Sequence, residues 1–286
     1  MKIGFIGLGI MGEAMCRNIV KKHDDAVYCF DLDESKVRML ANDGAIAGKN
    51  NTEVAEKSDV IITMVPKSAH SWAVYREILP VLGKGKTCID MSTIEPSESI
   101  KIAAMVEETG ARMIDAPVVK SRPAAEAGKL GIYVGGDEAV FNEMKPILSY
   151  MGENLIYMGG HGNGLVMKIC HNGLVAQIQN GVNEMAALAY ANGIDILTFA
   201  EAISYGGGQN FYLDSKKQAI HDRNFKTAFS IENMDKDVHI CMKLAESKGV
   251  EVPGEENAVG VYETAMAQGL GKEDFSATYK LWDEEE

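Results

Sequence analysis

The chain has 286 residues, 46% hydrophobic and 24% charged, which fits a folded globular protein with room for two domains. Its formal net charge of −13 argues against nucleic acid or an anionic membrane surface as partner, though a local cluster of Lys and Arg can still hold a small anionic substrate. The five scattered cysteines (Cys16, Cys29, Cys88, Cys170, Cys241) show no zinc-like spacing, so reduced thiols, a cytoplasmic setting and no metal are expected. No apolar run reaches the roughly 18 residues of a membrane span, and no signal peptide is expected, because Lys2 leads straight into a strand-and-glycine pattern.

Lys2–Ile6 has strand character, and the run Gly7-Leu8-Gly9-Ile10-Met11-Gly12 follows it, then a helical pattern through Met15, Ile19 and Val20. This is G-x-G-x-x-G between a strand and a helix, the context that a dinucleotide pyrophosphate needs. Gly7 makes the tight turn, Gly9 admits the phosphate, Gly12 lets helix and strand approach, and the N–H groups at Ile10 and Met11 open the helix. Ala26–Phe30 reads as the second strand with Asp31 at its end, about 20 residues past the glycines, where a carboxylate accepts from adenosine ribose hydroxyls. Asp31, Asp33 and Glu34 would repel a 2′-phosphate, so NAD is expected over NADP. The alternative for Asp31 is a cap on the helix beginning near Glu34.

Further strands are predicted at Val60–Val65, Thr87–Met91, Arg112–Val118 and Gly131–Gly136, with helical patterns at 34–41, 71–81, 97–108 and 137–151. Such alternation implies a mostly parallel sheet covered on both faces, with its ligand at the C-terminal strand ends. Met64, Val65, Pro66, Ser92 and Thr93 stand at those ends and are expected to line the nicotinamide half; for Ser92 a turn or helix cap is an equal reading.

After Gly160 the strand patterns stop. A long helix is expected from Gly162 to about Asn192, apolar nearly all round and therefore covered on most sides, with Leu165, Ile169, Val175, Ile178, Val182, Met185 and Ala189 as its buried stripe. Lys168 and Asn172 lie one turn apart on one face. Either Lys168 lays its stem on apolar surface with its head in water, or Asn172 holds it beside a substrate oxygen. Further helical patterns at 196–203, 215–219, 230–248, 258–268 and 274–282 complete an all-α second domain, and the acidic residues 283–286 are expected to fray. Lys236 lies in one of these helices among apolar neighbours, facing either solvent or a site; 204–211 reads as a helix end and polar loop. The expected fold is an α/β Rossmann domain, residues 1–161, followed by a helical substrate and oligomerisation domain, residues 162–286, built on the long interdomain helix.

The N-terminal G-x-G-x-x-G, Asp115-Ala116-Pro117-Val118, the G-x-G-x-x-x-K-x-x-x-N run from Gly162 to Asn172 and Lys236-Asp237 together resemble the β-hydroxyacid dehydrogenases, over nearly the whole chain and in order. The resemblance implies an active site in the cleft between two domains, Lys168 as the catalytic residue, Asn172 holding substrate and lysine, Lys236 on the cofactor side, and a homodimer or homotetramer. It implies reversible hydride transfer between NAD(H) and a small 3-hydroxy acid or its semialdehyde. Lys168 would act as acid in reduction and as base in oxidation, where an ordinary lysine pKa of ~10.4 must be lowered by burial and by Lys120 and Lys236. The chain departs from the family's Ser-Gly-Gly after D-A-P-V, carrying Val119-Lys120-Ser121-Arg122 instead. Sulfolactaldehyde reductases likewise carry a basic and a hydroxyl residue there. Lys120, Ser121 and Arg122 would therefore suit a sulfonate, phosphonate or second carboxylate on the substrate, unless Lys120 and Arg122 point to solvent. The competing reading from another class is a non-catalytic NAD(H)-binding sensor or reader.

Overall fold

The computed structural model describes residues 1–282, so the acidic stretch 283–286 lies outside the described residues. The chain divides into two compact units, Met1–Lys168 and the residues from Ile169 on.

The first unit holds a sheet of nine strands: β1 (Ile3–Ile6), β2 (Val27–Phe30), β3 (Ile46–Ala47), β4 (Val60–Thr63), β5 (Thr87–Asp90), β6 (Arg112–Asp115), β7 (Val118–Val119), β8 (Leu130–Gly136) and β9 (Gly152–Gly159). Their order is β3-β2-β1-β4-β5-β6-β8-β7, with β9 also on β8. All pairings from β3 to β6 are parallel, and β8 runs antiparallel to β6 and β7. The period of two sorts the side chains: Val60, Ile62, Ile89 and Ile114 join one apolar core, and Ile61, Cys88 and Met113 join another. Helices connect the strands: α1 (Ile10–Lys22), α2 (Glu34–Asn42), α3 (Asn51–Lys57), α4 (Ser68–Ile78), α5 (Pro96–Glu107), α6 (Arg122–Glu126) and α7 (Glu138–Leu148).

Two expectations are corrected. The predicted strand over 112–118 is two strands, both antiparallel to β8, with Ala116 and Pro117 as the break between them. The strand β9, hidden in an exposed polar-apolar stretch after Gly152, was not expected at all.

α8 (Asn163–Ala191) crosses the division between the units. It is followed by α9 (Ile196–Ser204), α10 (Phe211–His221), α11 (Ile231–Lys248), α12 (Pro253–Ala267) and a 3₁₀ segment, Phe275–Trp282. α10 starts four residues before the predicted helix, because the Asn210 side chain caps it by accepting from Leu213 N.

The buried stripe of α8 also differs from the expected one. It runs Leu165, Ile169, Asn172, Ala176, Gln179, Asn183 and Ala186, at three- to four-residue steps. Met167, Leu174, Met185 and Leu188 are exposed, so this chain does not cover the helix on most sides. Polar side chains occupy the buried face because the second unit supplies partners for them. Gln179 donates to the Phe275 carbonyl at 2.6 Å and accepts from the Tyr262 hydroxyl, while Asn183 accepts from the Tyr212 hydroxyl at 3.0 Å.

Candidate active site

The dinucleotide loop is built by close backbone packing. Gly7 has φ +95°, and a Cβ there would lie 2.3 Å from the Met64 carbonyl oxygen; one on Gly12 would lie 2.0 Å from the Gly7 carbonyl oxygen. Nothing lies within 4 Å of a Cβ built on Gly9, which is where a phosphate would approach. Gly9 is the N-cap of α1 and contributes no side-chain bond, so the first N–H groups, at Ile10 and Met11, begin the helix beside open space. Asp31, at the end of β2, reaches back to this loop: its Oδ2 accepts from Leu8 N at 2.5 Å and its Oδ1 from Asp33 N at 2.8 Å. The cap of α2 is Asp33, which accepts from Ser35 N at 3.0 Å, so the capping alternative for Asp31 falls to its neighbour. Open space over Gly9, a carboxylate tied to the loop and a free helix start together fit a dinucleotide.

Thr63, Asp90 and Asp115 are the last residues of β4, β5 and β6, and the parallel registers set them on one rung. Asp90 Oδ1 accepts from Ser92 N and from the Thr63 hydroxyl, each at 3.0 Å, and Thr63 also bonds the Tyr75 hydroxyl at 2.9 Å. Burial pushes the Asp90 carboxyl above the ordinary range, against the hydrogen bonds that favour its charged form. Ser92 in turn accepts from Val65 N at 2.8 Å. The hydroxyl of Ser92 thus ties the ends of β4 and β5 together and fixes the Met64-Val65-Pro66 segment, with Thr93 next in the chain and half-buried.

Asp115 is buried at the end of β6 and accepts from Gly162 N at 2.7 Å and Leu165 N at 3.0 Å, both at the start of α8. Lys168 follows on this helix and is only 8% exposed. So little exposure leaves most of the side chain out of water, and burying an ammonium costs several kcal/mol unless it is compensated.

In the second unit, Asn172 is buried and its Nδ2 donates to Asp237 Oδ2 at 2.6 Å. Lys236 Nζ lies 3.1 Å from Asp237 Oδ1, and Asp237 is 1% exposed. Asp237 therefore gathers Asn172 from α8 and Lys236 from α11. It also sets the direction of the Asn172 amide: with nitrogen toward the carboxylate, the carbonyl oxygen is the end that accepts from an ammonium.

The Val119–Arg122 loop is arranged differently. Lys120 has φ +78°, a backbone that favours glycine, at the position where the resembling family has one. Its Nζ donates to the Lys129 carbonyl at 2.7 Å and lies 3.0 Å from Glu153 Oε1, with 41% of the side chain exposed. Arg122 Nε pairs with Glu126 on its own helix at 2.7 Å. Ser121 is the N-cap residue of α6, without a side-chain cap bond. The structure thus ties Lys120 and Arg122 to carboxylates of the protein.

Three buried carboxylates had no assigned role in the sequence: Asp90 and Asp115 in the first unit and Asp237 in the second. Their signal was present as strand-end aspartates and as the acidic partner in the Lys236-Asp237 pair.

A glycine-turn α/β unit followed by a helical unit fits an NAD(P)-binding protein. The family model described as the NAD binding domain of 6-phosphogluconate dehydrogenase matches residues 2–160, and that described as NAD-binding of NADP-dependent 3-hydroxyisobutyrate dehydrogenase matches residues 162–282. A 2-(hydroxymethyl)glutarate dehydrogenase of Eubacterium barkeri is 34% identical, over 99% of this chain and 95% of its own. The NAD-dependent L-serine dehydrogenase of Pseudomonas aeruginosa is 32% identical, over 99% of this chain and 98% of its own. The structure of a Mycobacterium tuberculosis 3-hydroxyisobutyrate dehydrogenase with L-serine superposes with a TM-score of 0.92, at 27% identity and 99% coverage of both chains. The chain belongs to the β-hydroxyacid dehydrogenase family.

Proposed function

We propose that the protein interconverts a small 3-hydroxy acid, or an anionic analogue carrying a sulfonate or second carboxylate, and its semialdehyde, with Lys168 as general acid and base. The observation that carries this reading is the buried Lys168 one turn from an Asn172 whose amide is oriented by Asp237. NADH, when bound, would supply the hydride that the carbonyl carbon takes up. The Lys168 ammonium donates its proton to the carbonyl oxygen, giving the hydroxyl; in the reverse direction neutral Lys168 removes that proton. Oxidation therefore rises from neutral to alkaline pH, and a flat profile with chemistry rate-limiting contradicts Lys168 as base. Lys236, held by Asp237, serves the cofactor side. NAD is preferred over NADP because Asp31, tied to the loop through Leu8 N, would repel a 2′-phosphate.

Substrate anion recognition falls to the Val119–Arg122 loop. A substrate anion would have to displace Glu153 from Lys120, and that exposed ion pair is worth only about 0–1 kcal/mol. Arg122, committed to Glu126, flanks Lys120 and Ser121. The test is NADH oxidation with succinic, methylmalonic and tartronic semialdehydes against sulfolactaldehyde, in wild type and Lys120→Ala. A preference for the doubly anionic or sulfonated aldehyde that collapses in the variant supports the loop; equal activity on simple semialdehydes, unchanged in the variant, refutes it.

The same proposal includes a homodimer or homotetramer in the cytoplasm. Exposed Leu174, Met185 and Leu188 along α8 and the five free cysteines support it. Among the described residues no helix is long and apolar enough to cross a membrane, and no cluster of three or more metal-ligating side chains occurs.

A further inference from the structure

We propose that Asp115 is a positioning residue of the reaction: from the end of β6 it grips the first turn of α8 and so fixes where Lys168 is held. The proposal rests on the reading of Lys168 as general acid and base.

A helix begins with four N–H groups that its own carbonyls do not satisfy. Six of the twelve α-helices among the described residues answer with a local side chain: Asp33, Asn50, Asp137, Asp195, Asn210 and Ser230 each cap their own helix. α8 is preceded by Gly162, which has no side chain. Its cap is a carboxylate 47 residues earlier in the chain for Gly162 N and 50 earlier for Leu165 N. One oxygen takes the residue before the helix and the other takes its third residue, so the grip is bidentate and fixes direction as well as distance. Bonds to an ionised acceptor are about twice as strong as neutral ones, and the helix dipole adds to them.

The surroundings are fitted to this carboxylate. A Cβ on Gly164 would stand 2.7 Å from Asp115 Oδ2 and 2.6 Å from the Tyr133 carbonyl oxygen; one on Gly135 would stand 2.5 Å from Asp115 Oδ1. The α8 start therefore lies directly on β8 around Asp115, an approach that only the missing side chains permit. Lys168 is three residues beyond Leu165, about 4.5 Å along the helix axis at the usual rise. A helix start freed to shift carries the ammonium with it, and a misplacement of about 1 Å can reduce rate on the order of 10²-fold.

The experiment compares Asp115→Asn with Asp137→Asn. Asp137 is a matched control: a carboxylate capping α7 through two N–H groups, at 2.8 and 3.1 Å, with no catalytic residue on its helix. For both variants kcat, the KM values for NADH and aldehyde, and Tm are measured, and each substitution is repeated in Lys168→Ala. Asp115→Asn is expected to lower kcat 10- to 100-fold with KM for NADH within twofold. Asp137→Asn should lower Tm and leave kcat within twofold. In Lys168→Ala, adding Asp115→Asn should lower the residual rate no further, because the group it positions is gone. The proposal is overturned if Asp115→Asn keeps kcat within twofold, if both variants lose kcat alike, or if its loss persists in full without Lys168. If Lys168→Ala alone leaves kcat intact, the reading of Lys168 fails first and Asp115 loses its role with it. Should Asp115→Asn not fold, Asp115→Ser, with one shorter acceptor, carries the same expectation.

Discussion

The two units hold their buried carboxylates with different donors. In the first, Asp115 ends β6 and accepts from the backbone N–H groups of Gly162 and Leu165, and Asp90 ends β5 and accepts from Ser92 N and the Thr63 hydroxyl, with no ammonium at either among the described residues. In the second, Asp237 takes a side-chain amide and an ammonium, and Asp274 takes the Lys216 ammonium at 2.8 Å and the Ser276 hydroxyl at 2.6 Å as well as backbone N–H groups. A backbone donor stays in place whatever the neighbouring side chains do. A side-chain donor must itself be held, as Tyr75 holds Thr63 beside Asp90, whereas Asp115 needs only the start of α8.

Substitutions at the two kinds of site should differ accordingly. The largest effect after loss of Lys168 itself is expected at Asn172. Asn172→Ala removes the oriented amide and should lower kcat about 10²-fold, the scale of a misplaced catalytic group, with NADH affinity kept; an unchanged kcat in steady-state assays would detach Asn172 from the chemistry. Next comes Asp274→Asn. Burial alone would raise the Asp274 carboxyl, but Lys216, Ser276 and the Ala228 N–H outweigh it and hold the group below the ordinary carboxylate range. A depressed carboxyl stabilises the fold above its unfolded value and loses that stabilisation as pH falls through its folded value. The variant should thus cost about 3 kcal/mol near neutrality, and its denaturant midpoint should depend less on pH in the acid range than the wild type's. In the first unit, Gly12→Ala drives a methyl into the Gly7 carbonyl and should cost about 1–3 kcal/mol of stability and weaken NADH binding, read by titration of its fluorescence. The smallest effect is expected at Asp31→Ser, which should narrow the NADH-over-NADPH preference with little change in kcat.

The same contrast explains what the sequence disclosed. The glycine turn, the strand-end Asp31 and the parallel core were readable because periods of two and of 3.6 and the glycine spacing are local properties. The break at Pro117 and strand β9 were missed because pairing with β8 decides them, over distances no local pattern reaches. On α8 the apolar count favoured Met185 as buried and said nothing for Gln179 and Asn183. The structure reverses this, since Tyr262, Thr278 and Tyr212 satisfy those amides. The four-residue spacing singled out Lys168 and Asn172, and both are buried. Asp115 was visible only as part of a motif, because its partners are two backbone N–H groups that carry no sequence signature. Lys120 was read as a substrate cation; its positive φ and its contacts with Glu153 and Lys129 depend on the β7–β8–β9 pairing, which a linear reading does not supply.

The most direct test of Lys168 as acid and base is Lys168→Ala assayed for aldehyde reduction while NADH binding is titrated on the same protein. If Lys168 moves the proton, kcat falls by roughly 10²–10⁴ while NADH binds as tightly as in the wild type. Retained turnover in the variant, or tight NADH binding by a wild type that turns over none of the semialdehydes, would contradict it; the second result would make the chain a dinucleotide sensor rather than an enzyme.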